Sequence, residues 1–215
     1  VAAANLGCEP SEVRQDGDRF TGSDGKAISY AEIGHLAVLG LGRLPHEIPP
    51  GMSVEGIYRP QVESGTFSYG VHIARVCVDT ETGFVRVTDY AVVEDCGTVV
   101  NPLILDGQIR GGVAQGIGQA LLEEMRYGED GQPLSVTFGD YVLPGSMEVP
   151  LVDIVHQCTP SPFSEFGIKG AGEGGCIGGP AAIGNAVRSA LLKRGVAVNR
   201  TPITPDYLLA QLLGG

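Results

Sequence analysis

The sequence predicts an α+β fold in which helices pack on mixed, largely antiparallel sheets. The first reason is a pair of segments with alternating apolar residues, 69–78 and 84–93, which flank a turn-forming stretch and predict a β-hairpin. The second is the order of the other segments, because strands and helices do not alternate as strictly as parallel βαβ units require. With 215 residues, 43% of them hydrophobic, the chain can also build a substantial core.

Residues 1–60 are predicted to be the end of a preceding subdomain followed by a connecting segment rich in proline and glycine. Residues 1–8 have the composition of a helix end, and turn signals within residues 16–26 flank a short hairpin. Ser29 and Glu32 have the spacing of a capping box, which predicts that a helix starts there. Because the chain opens inside a helical pattern, we expect a fragment or one product of a split larger chain.

Residues 61–215 are predicted to form a second subdomain, which contains the hairpin and most of the helices. Its other predicted elements are a helix at 109–127, short strands at 134–138 and 151–156, and helices at 181–193 and 206–213. Several glycines fall early in the first of these helices, although each costs about 1 kcal/mol relative to alanine. They are Gly111, Gly112, Gly116 and Gly118. We therefore expect either another backbone or a ligand to approach that end of the helix closely.

A glycine-rich loop between Phe166 and Pro180 holds one carboxylate, that of Glu173. Glycine lets a loop bring its backbone N–H groups against a ligand, because it lacks a side chain and tolerates positive φ. Pro180 opens an apolar, alanine-rich segment, so the loop is expected to lie near a helix N-terminus. These features predict a functional Glu173. The alternative is an ordinary glycine-rich turn with a solvated carboxylate.

The same loop also matches a dinucleotide-binding pattern. Residues 170–175 satisfy G-x-G-x-x-G, but this pattern requires a preceding strand and an acidic residue about 20 positions later. Residues 159–165 are instead rich in proline, and no carboxylate lies around residues 196–198. A nucleotide-binding module therefore remains only a third hypothesis, which a strand leading directly into Gly170 would support.

The composition excludes several other classes of function. A net charge of −11 argues against binding nucleic acid, which needs a basic face. No apolar run approaches the length of a membrane span, and no signal-type N-terminus is present. The five cysteines form no C-x-x-C pair and the four histidines show no ligand spacing, so no protein-held metal is predicted. Reduced thiols of this kind favour a cytoplasmic location.

Several blocks along the chain resemble the C-terminal part of the molybdopterin-binding large subunit of the molybdenum hydroxylases, the xanthine dehydrogenase and aldehyde oxidase family. Bacterial members such as aerobic carbon monoxide dehydrogenase large chains are similar in these blocks. The matching blocks are residues 69–72, 78–83, 95–97, 101–102, 107–118, 140–144 and 167–173. They occur in the order and at the spacing of the family, whereas the first 60 residues match more loosely.

The resemblance implies a role for each residue of the candidate site. Glu173 would be the general base, and Gln108 would hydrogen-bond the cofactor near the metal. The backbone of Lys169, Gly170, Ala171 and Gly172 would line the pterin site. The implied reaction inserts a water-derived oxygen at an electron-poor carbon, with a hydride passing to molybdenum, which the protein itself does not ligate.

The resemblance also implies the cofactors and partners. The molybdopterin is expected in its cytosine dinucleotide form, with 2Fe–2S clusters and FAD on partner subunits or domains. The expected partners are the rest of the large subunit, an iron–sulfur subunit, a flavin subunit and a small-molecule substrate. The family's upstream glycine-phenylalanine and serine-rich loops have no counterpart in this chain. We therefore expect it to be inactive alone, and the alternative function is a non-catalytic fragment or assembly domain without bound cofactor.

Overall fold

The computed structural model describes residues 1–59 and 65–214, which fall into two compact units, Val1–Arg59 and Pro60–Gly215. Both units combine helices with β-sheet, and five of the six strands in the described residues form antiparallel pairs. The sixth strand joins its sheet in parallel. The predicted α+β fold with mixed, largely antiparallel sheets is therefore confirmed.

The first unit is a small three-stranded antiparallel sheet with two helices. Its elements are α1 (Ala2–Leu6), β1 (Arg14–Asp16), β2 (Arg19–Thr21), β3 (Ala27–Ser29) and α2 (Tyr30–Val38). The predicted capping box starts α2, because Ser29 Oγ accepts from the Glu32 N–H at 3.2 Å and Glu32 Oε2 accepts from the Ser29 N–H at 2.9 Å. A small core closes this unit around Leu6, Ile28, Ile33 and Leu36.

The second unit is built on the predicted hairpin. Strands β4 (Tyr69–Val78) and β5 (Val85–Asp95) pair antiparallel, and β6 (Val152–His156) adds to β5 in parallel. The turn between β4 and β5 requires Gly83, since its φ is 76° and a Cβ there would overlap the Pro205 carbonyl oxygen. The hairpin thereby packs against the C-terminal helix of the chain.

Four α-helices are found in the described part of the second unit. They are α3 (Pro102–Leu121), α4 (Gly174–Ile177), α5 (Gly179–Leu191) and α6 (Pro205–Leu213). Apolar side chains of α3, α5 and α6 bury themselves with those of β5 in one core. Its fully buried members include Tyr90, Val92, Ile109, Val113, Ile117, Ile183, Val187 and Leu208. In the described residues, no helix is both long and apolar enough to cross a membrane.

Two of the predicted elements are wrong. The helix expected at 109–127 begins at Pro102 and ends at Leu121. Asn101 caps it by accepting from the Ile104 N–H at 3.1 Å, and Pro102 occupies the first helical position. The segment expected to be a strand at 134–138 is irregular and is tied to the chain just after α3. The Leu134 N–H donates to the Arg126 carbonyl, and Ser135 Oγ accepts from the Arg126 N–H and donates to the Glu124 carbonyl.

The glycines of α3 fall into two groups, those packed against another backbone and those next to open space. A Cβ at Gly112 would lie 2.8 Å from the Cys176 nitrogen, and one at Gly116 would lie 3.0 Å from the Gly179 Cα. These positions let α3 approach the starts of α4 and α5, which confirms the backbone alternative for them. In contrast, a Cβ at Gly107 or Gly111 would meet nothing within 4 Å.

Candidate active-site loop

The loop that carries Glu173 is anchored at its start to the end of β5. The Lys169 N–H donates to the Cys96 carbonyl at 2.8 Å, and the Thr98 N–H donates to the Gly167 carbonyl at 3.1 Å. Gly97 has a φ of 72° and touches the Gly167 carbonyl oxygen, which leaves no room for a side chain. Two blocks that are far apart in the sequence, 95–97 and 167–173, therefore form one structural unit.

A buried ion pair fixes the same junction. Lys169 Nζ lies 3.0 Å from Asp95 Oδ1, with side-chain exposures of 6% and 1%, and 4.5 Å above the Tyr69 ring. Burial would raise the pKa of the Asp95 carboxyl, but hydrogen bonds led by those from Thr159 and including that from Lys169 outweigh it and hold the pKa well below its usual range. The Lys169 side chain is therefore engaged inside the protein, and only its backbone can face a ligand.

The next residues of the loop differ in their surroundings. A Cβ at Gly170 or Gly172 would meet nothing within 4 Å, so the backbone there is open on one side. Ala171, between them, packs against the core. Glu173 follows as the N-cap residue of α4, with an exposed side chain. No strand leads into Gly170, since residues 157–167 are irregular, and the dinucleotide-binding hypothesis loses its required context.

Glu173 and Gln108 project from backbone segments that touch each other. Gly175, two residues after Glu173, contacts the carbonyl oxygen of Ile109, the residue after Gln108. Both side chains are exposed, and Gln108 lies within α3, where sequence analysis had placed it before the helix. The structure therefore brings the two predicted site residues onto neighbouring elements, and neither lines the pocket described next.

Beneath the loop lies a cavity of about 150 Å³, bordered by His72, Glu94, Gly174 and Gly178 among others. Glu94 is 4% exposed, and neither of its carboxylate oxygens has a hydrogen-bond partner in the described part of the chain. Burial raises the pKa of the Glu94 carboxyl, while the charge of His156 acts weakly in the opposite direction. Burial therefore favours the neutral form of this carboxyl more than an exposed position would.

His156 connects this cluster to α3. Glu94 and His156 are direct partners across β5 and β6. His156 Nε2 lies 2.8 Å from Asp106 Oδ1, whereas its buried Nδ1 has no partner in the described residues. The sequence-based prediction did not include His72, Glu94 and His156 as neighbours of the candidate site. The alternation Tyr90, Val92, Glu94 on one face of β5 was the available signal.

Glutamine at position 94 should make stability less dependent on pH. The folded pKa of Glu94 is raised above the unfolded value near 4.5, so its stabilising neutral form is fully present below that value and is lost as pH rises through the folded pKa. As the pH rises from 4 to 8, the free energy of unfolding of Glu94→Gln should therefore increase by roughly 1–3 kcal/mol relative to that of the wild type. Urea denaturation across this range measures it. The exposed Glu81→Gln should show no such trend, and a pH-independent difference for Glu94→Gln would contradict the assignment.

Comparison with known proteins identifies the class of protein to which this chain is similar. The family model described as "Molybdopterin cofactor-binding domain" matches residues 1–150. The nicotine 6-hydroxylase large subunit of Paenarthrobacter nicotinovorans is 36% identical over 100% of this chain and 26% of its own length. The carbon monoxide dehydrogenase large chain of Afipia carboxidovorans is 31% identical over 88% of this chain and 23% of its own.

A solved structure agrees with these relatives. The quinoline 2-oxidoreductase of Pseudomonas putida 86 superposes with a TM-score of 0.79 and 36% identity, over 99% of this chain and 27% of that one. The fold is thus that of a molybdopterin-binding domain. The chain belongs to the molybdenum hydroxylase family, and it spans about a quarter of the length of these relatives.

Proposed function

We propose that this chain forms part of the active site of a molybdenum hydroxylase, with Glu173 as general base and Gln108 as a cofactor ligand. The supporting observation is the contact of Gly175 with Ile109, which joins the backbone next to Glu173 to the backbone next to Gln108. A base must lie within hydrogen-bond reach of the proton it takes and on a rigid support. The loop anchored through Lys169 and Asp95 supplies such a support.

The residues present fit a cofactor that brings its own metal ligands. Within residues 1–59 and 65–214, no group of three or more His, Cys, Asp or Glu side chains could hold a metal ion. The open sides of Gly170 and Gly172 would let the backbone of Lys169, Gly170, Ala171 and Gly172 line a flat pterin, and the exposed Gln108 amide can donate and accept. The bound molybdenum would supply the acceptor of the two electrons released by substrate oxidation.

The partners follow from the relatives and from one exposed surface. Relatives are named as a large subunit, a large chain and a complex subunit, so we propose that this chain also works within a multi-subunit enzyme. The family resemblance leads us to propose 2Fe–2S and FAD partners and a cytosine dinucleotide form of the cofactor. Val71, Val93 and Val155 lie in one row across β4, β5 and β6, and Val71 and Val155 are 59% and 58% exposed. We assign this apolar face to the rest of the large subunit, in a cytoplasmic enzyme.

The second candidate is a non-catalytic fragment. The exposure of Glu173 and Gln108 in this chain favours it for the chain alone, because a buried reaction needs water excluded around the base. We therefore propose that activity requires the remainder of the enzyme. Molybdenum analysis of the isolated chain separates the two cases, and about one molybdenum per chain would contradict an inert fragment.

Ring carbons next to nitrogen in heteroaromatic compounds are the first substrate class to test. Two relatives with 36% identity carry nicotine and quinoline in their names, and such carbons are electron-poor. The complete enzyme should oxidise a compound of this class under anaerobic conditions with an artificial electron acceptor, and in H₂¹⁸O the product should carry the label. Product without ¹⁸O would contradict the proposed hydroxylation.

A further inference from the structure

We propose that His72 and Tyr90 are positioning residues that fix the loop carrying Glu173. This inference rests on the proposed role of Glu173 as base. His72 Nε2 lies 3.2 Å from the carbonyl oxygen of Gly174, the residue directly after Glu173. On the other side of the ring, His72 Nδ1 lies 2.9 Å from the Tyr90 hydroxyl. One imidazole thus links the core of the sheet to the backbone beside the base.

The two contacts determine the tautomer of His72. A carbonyl oxygen only accepts, so Nε2 must carry the hydrogen that is donated to Gly174. In a neutral ring Nδ1 is then the acceptor, and the Tyr90 hydroxyl donates to it. Burial lowers the pKa of His72, with the hydrogen bond to Gly174 acting weakly in the opposite direction, so the neutral ring is favoured. Tyr90 is 2% exposed and is itself held in the core.

The His72 ring also packs against the backbone at the end of α4. A Cβ at Gly178 would lie 2.6 Å from His72 Cγ, so the ring lies directly against the backbone at the end of α4. At its start, a Cβ at Gly174 would lie 2.9 Å from Glu94 Oε2. The helix has only four residues and its N-cap residue, Glu173, makes no side-chain capping bond. Its position therefore depends on tertiary contacts, which include these two and the packing of α4 on α3, and the direction of the Glu173 side chain depends on that position.

The test uses the complete enzyme and four variants. His72→Leu removes both hydrogen bonds, and we expect kcat to fall about 10–100-fold while KM and molybdenum content change little, since misplacing a catalytic group by about 1 Å has effects of this size. His72→Gln keeps a donor at the ε position and should recover most of the loss. Tyr90→Phe should give an intermediate loss. The exposed His46→Leu is the matched control and should retain full activity.

Spectroscopy gives a readout that activity cannot. In the 215-residue chain, ¹⁵N chemical shifts should show His72 protonated at Nε2 only, and Tyr90→Phe should shift the Nδ1 signal toward that of an unbonded acceptor. Amide exchange of residues 175–177 should accelerate in His72→Leu. An Nδ1-protonated ring, or full activity of both His72→Leu and Tyr90→Phe, would overturn the inference. Glu173→Gln in the same assays separates the two proposals. An active Glu173→Gln enzyme would contradict the role of Glu173 as base, whereas full activity of the His72 and Tyr90 variants with an inactive Glu173→Gln enzyme would contradict only their positioning role.

Discussion

Replacing Glu173 with glutamine in the complete enzyme is expected to lower kcat by about 10²–10⁴-fold, the usual contribution of a general base. Glutamine has nearly the same shape as glutamate, but its amide cannot accept the proton. The loop should keep its conformation, because no hydrogen bond or ion pair involves the Glu173 side chain in the described residues. Molybdenum content and the free energy of unfolding should therefore stay near those of the wild type. Steady-state kinetics with metal analysis measures all of these effects.

Glu165→Gln is the matched control for that experiment. Glu165 is also exposed and directly precedes the loop. Its replacement by glutamine removes one negative charge, as the replacement of Glu173 does. We expect its kcat to remain within about twofold of wild type, as for most surface substitutions. A Glu173→Gln enzyme that keeps most of its activity would remove the base role, and comparable losses in both variants would point to a general charge effect.

Alanine at Gly112 is expected to produce the largest loss of stability among the single substitutions considered. Its Cβ would lie 2.8 Å from the Cys176 nitrogen and from the Gly175 carbonyl carbon, which are backbone atoms that cannot rotate away. Helix α3 would have to separate from α4, and overpacking of this kind costs about 1–3 kcal/mol. Thermal or urea unfolding of the 215-residue chain measures the change.

The neighbouring glycine provides the control for this prediction. A Cβ at Gly111 would meet nothing within 4 Å, so Gly111→Ala should only gain helix propensity and stabilise the chain by up to about 1 kcal/mol. The two adjacent substitutions should therefore have opposite signs. Equal effects at Gly111 and Gly112 would contradict the close approach of α3 and α4.

Local chemistry in the sequence was sufficient to predict several elements of the fold. The alternation in β4 and β5, the Ser29–Glu32 capping box and Pro205 at the first position of α6 each specify an element through residues a few positions apart. The start of α3 was placed too late because Asn101 and Pro102 were not recognised as its cap and first residue. The packing of Gly112 on α4, about sixty positions away, could not be specified from the sequence at all.

In the candidate site, too, features set by residues close in the sequence could be predicted, and features set by distant residues could not. Glu173 stands out in the sequence because a single carboxylate lies among glycines, and Gln108 was assigned through the family resemblance. His72 was not recognised, because its partners Tyr90 and Gly174 lie 18 and 102 positions away. Glu94 was not recognised as a neighbour of the site either. Nothing in the sequence indicated that Glu94 is buried beside Gly174 with no hydrogen-bond partner among the described residues.

The most direct test of the central claim is a structure of the complete large subunit with its cofactor bound. We predict that the Glu173 carboxylate lies within hydrogen-bond distance of the position where the substrate oxygen is delivered, and that the Gln108 amide contacts the same cofactor. The contact of Gly175 with Ile109 should be unchanged. A Glu173 side chain that points into bulk solvent, away from the cofactor that Gln108 contacts, would contradict the account.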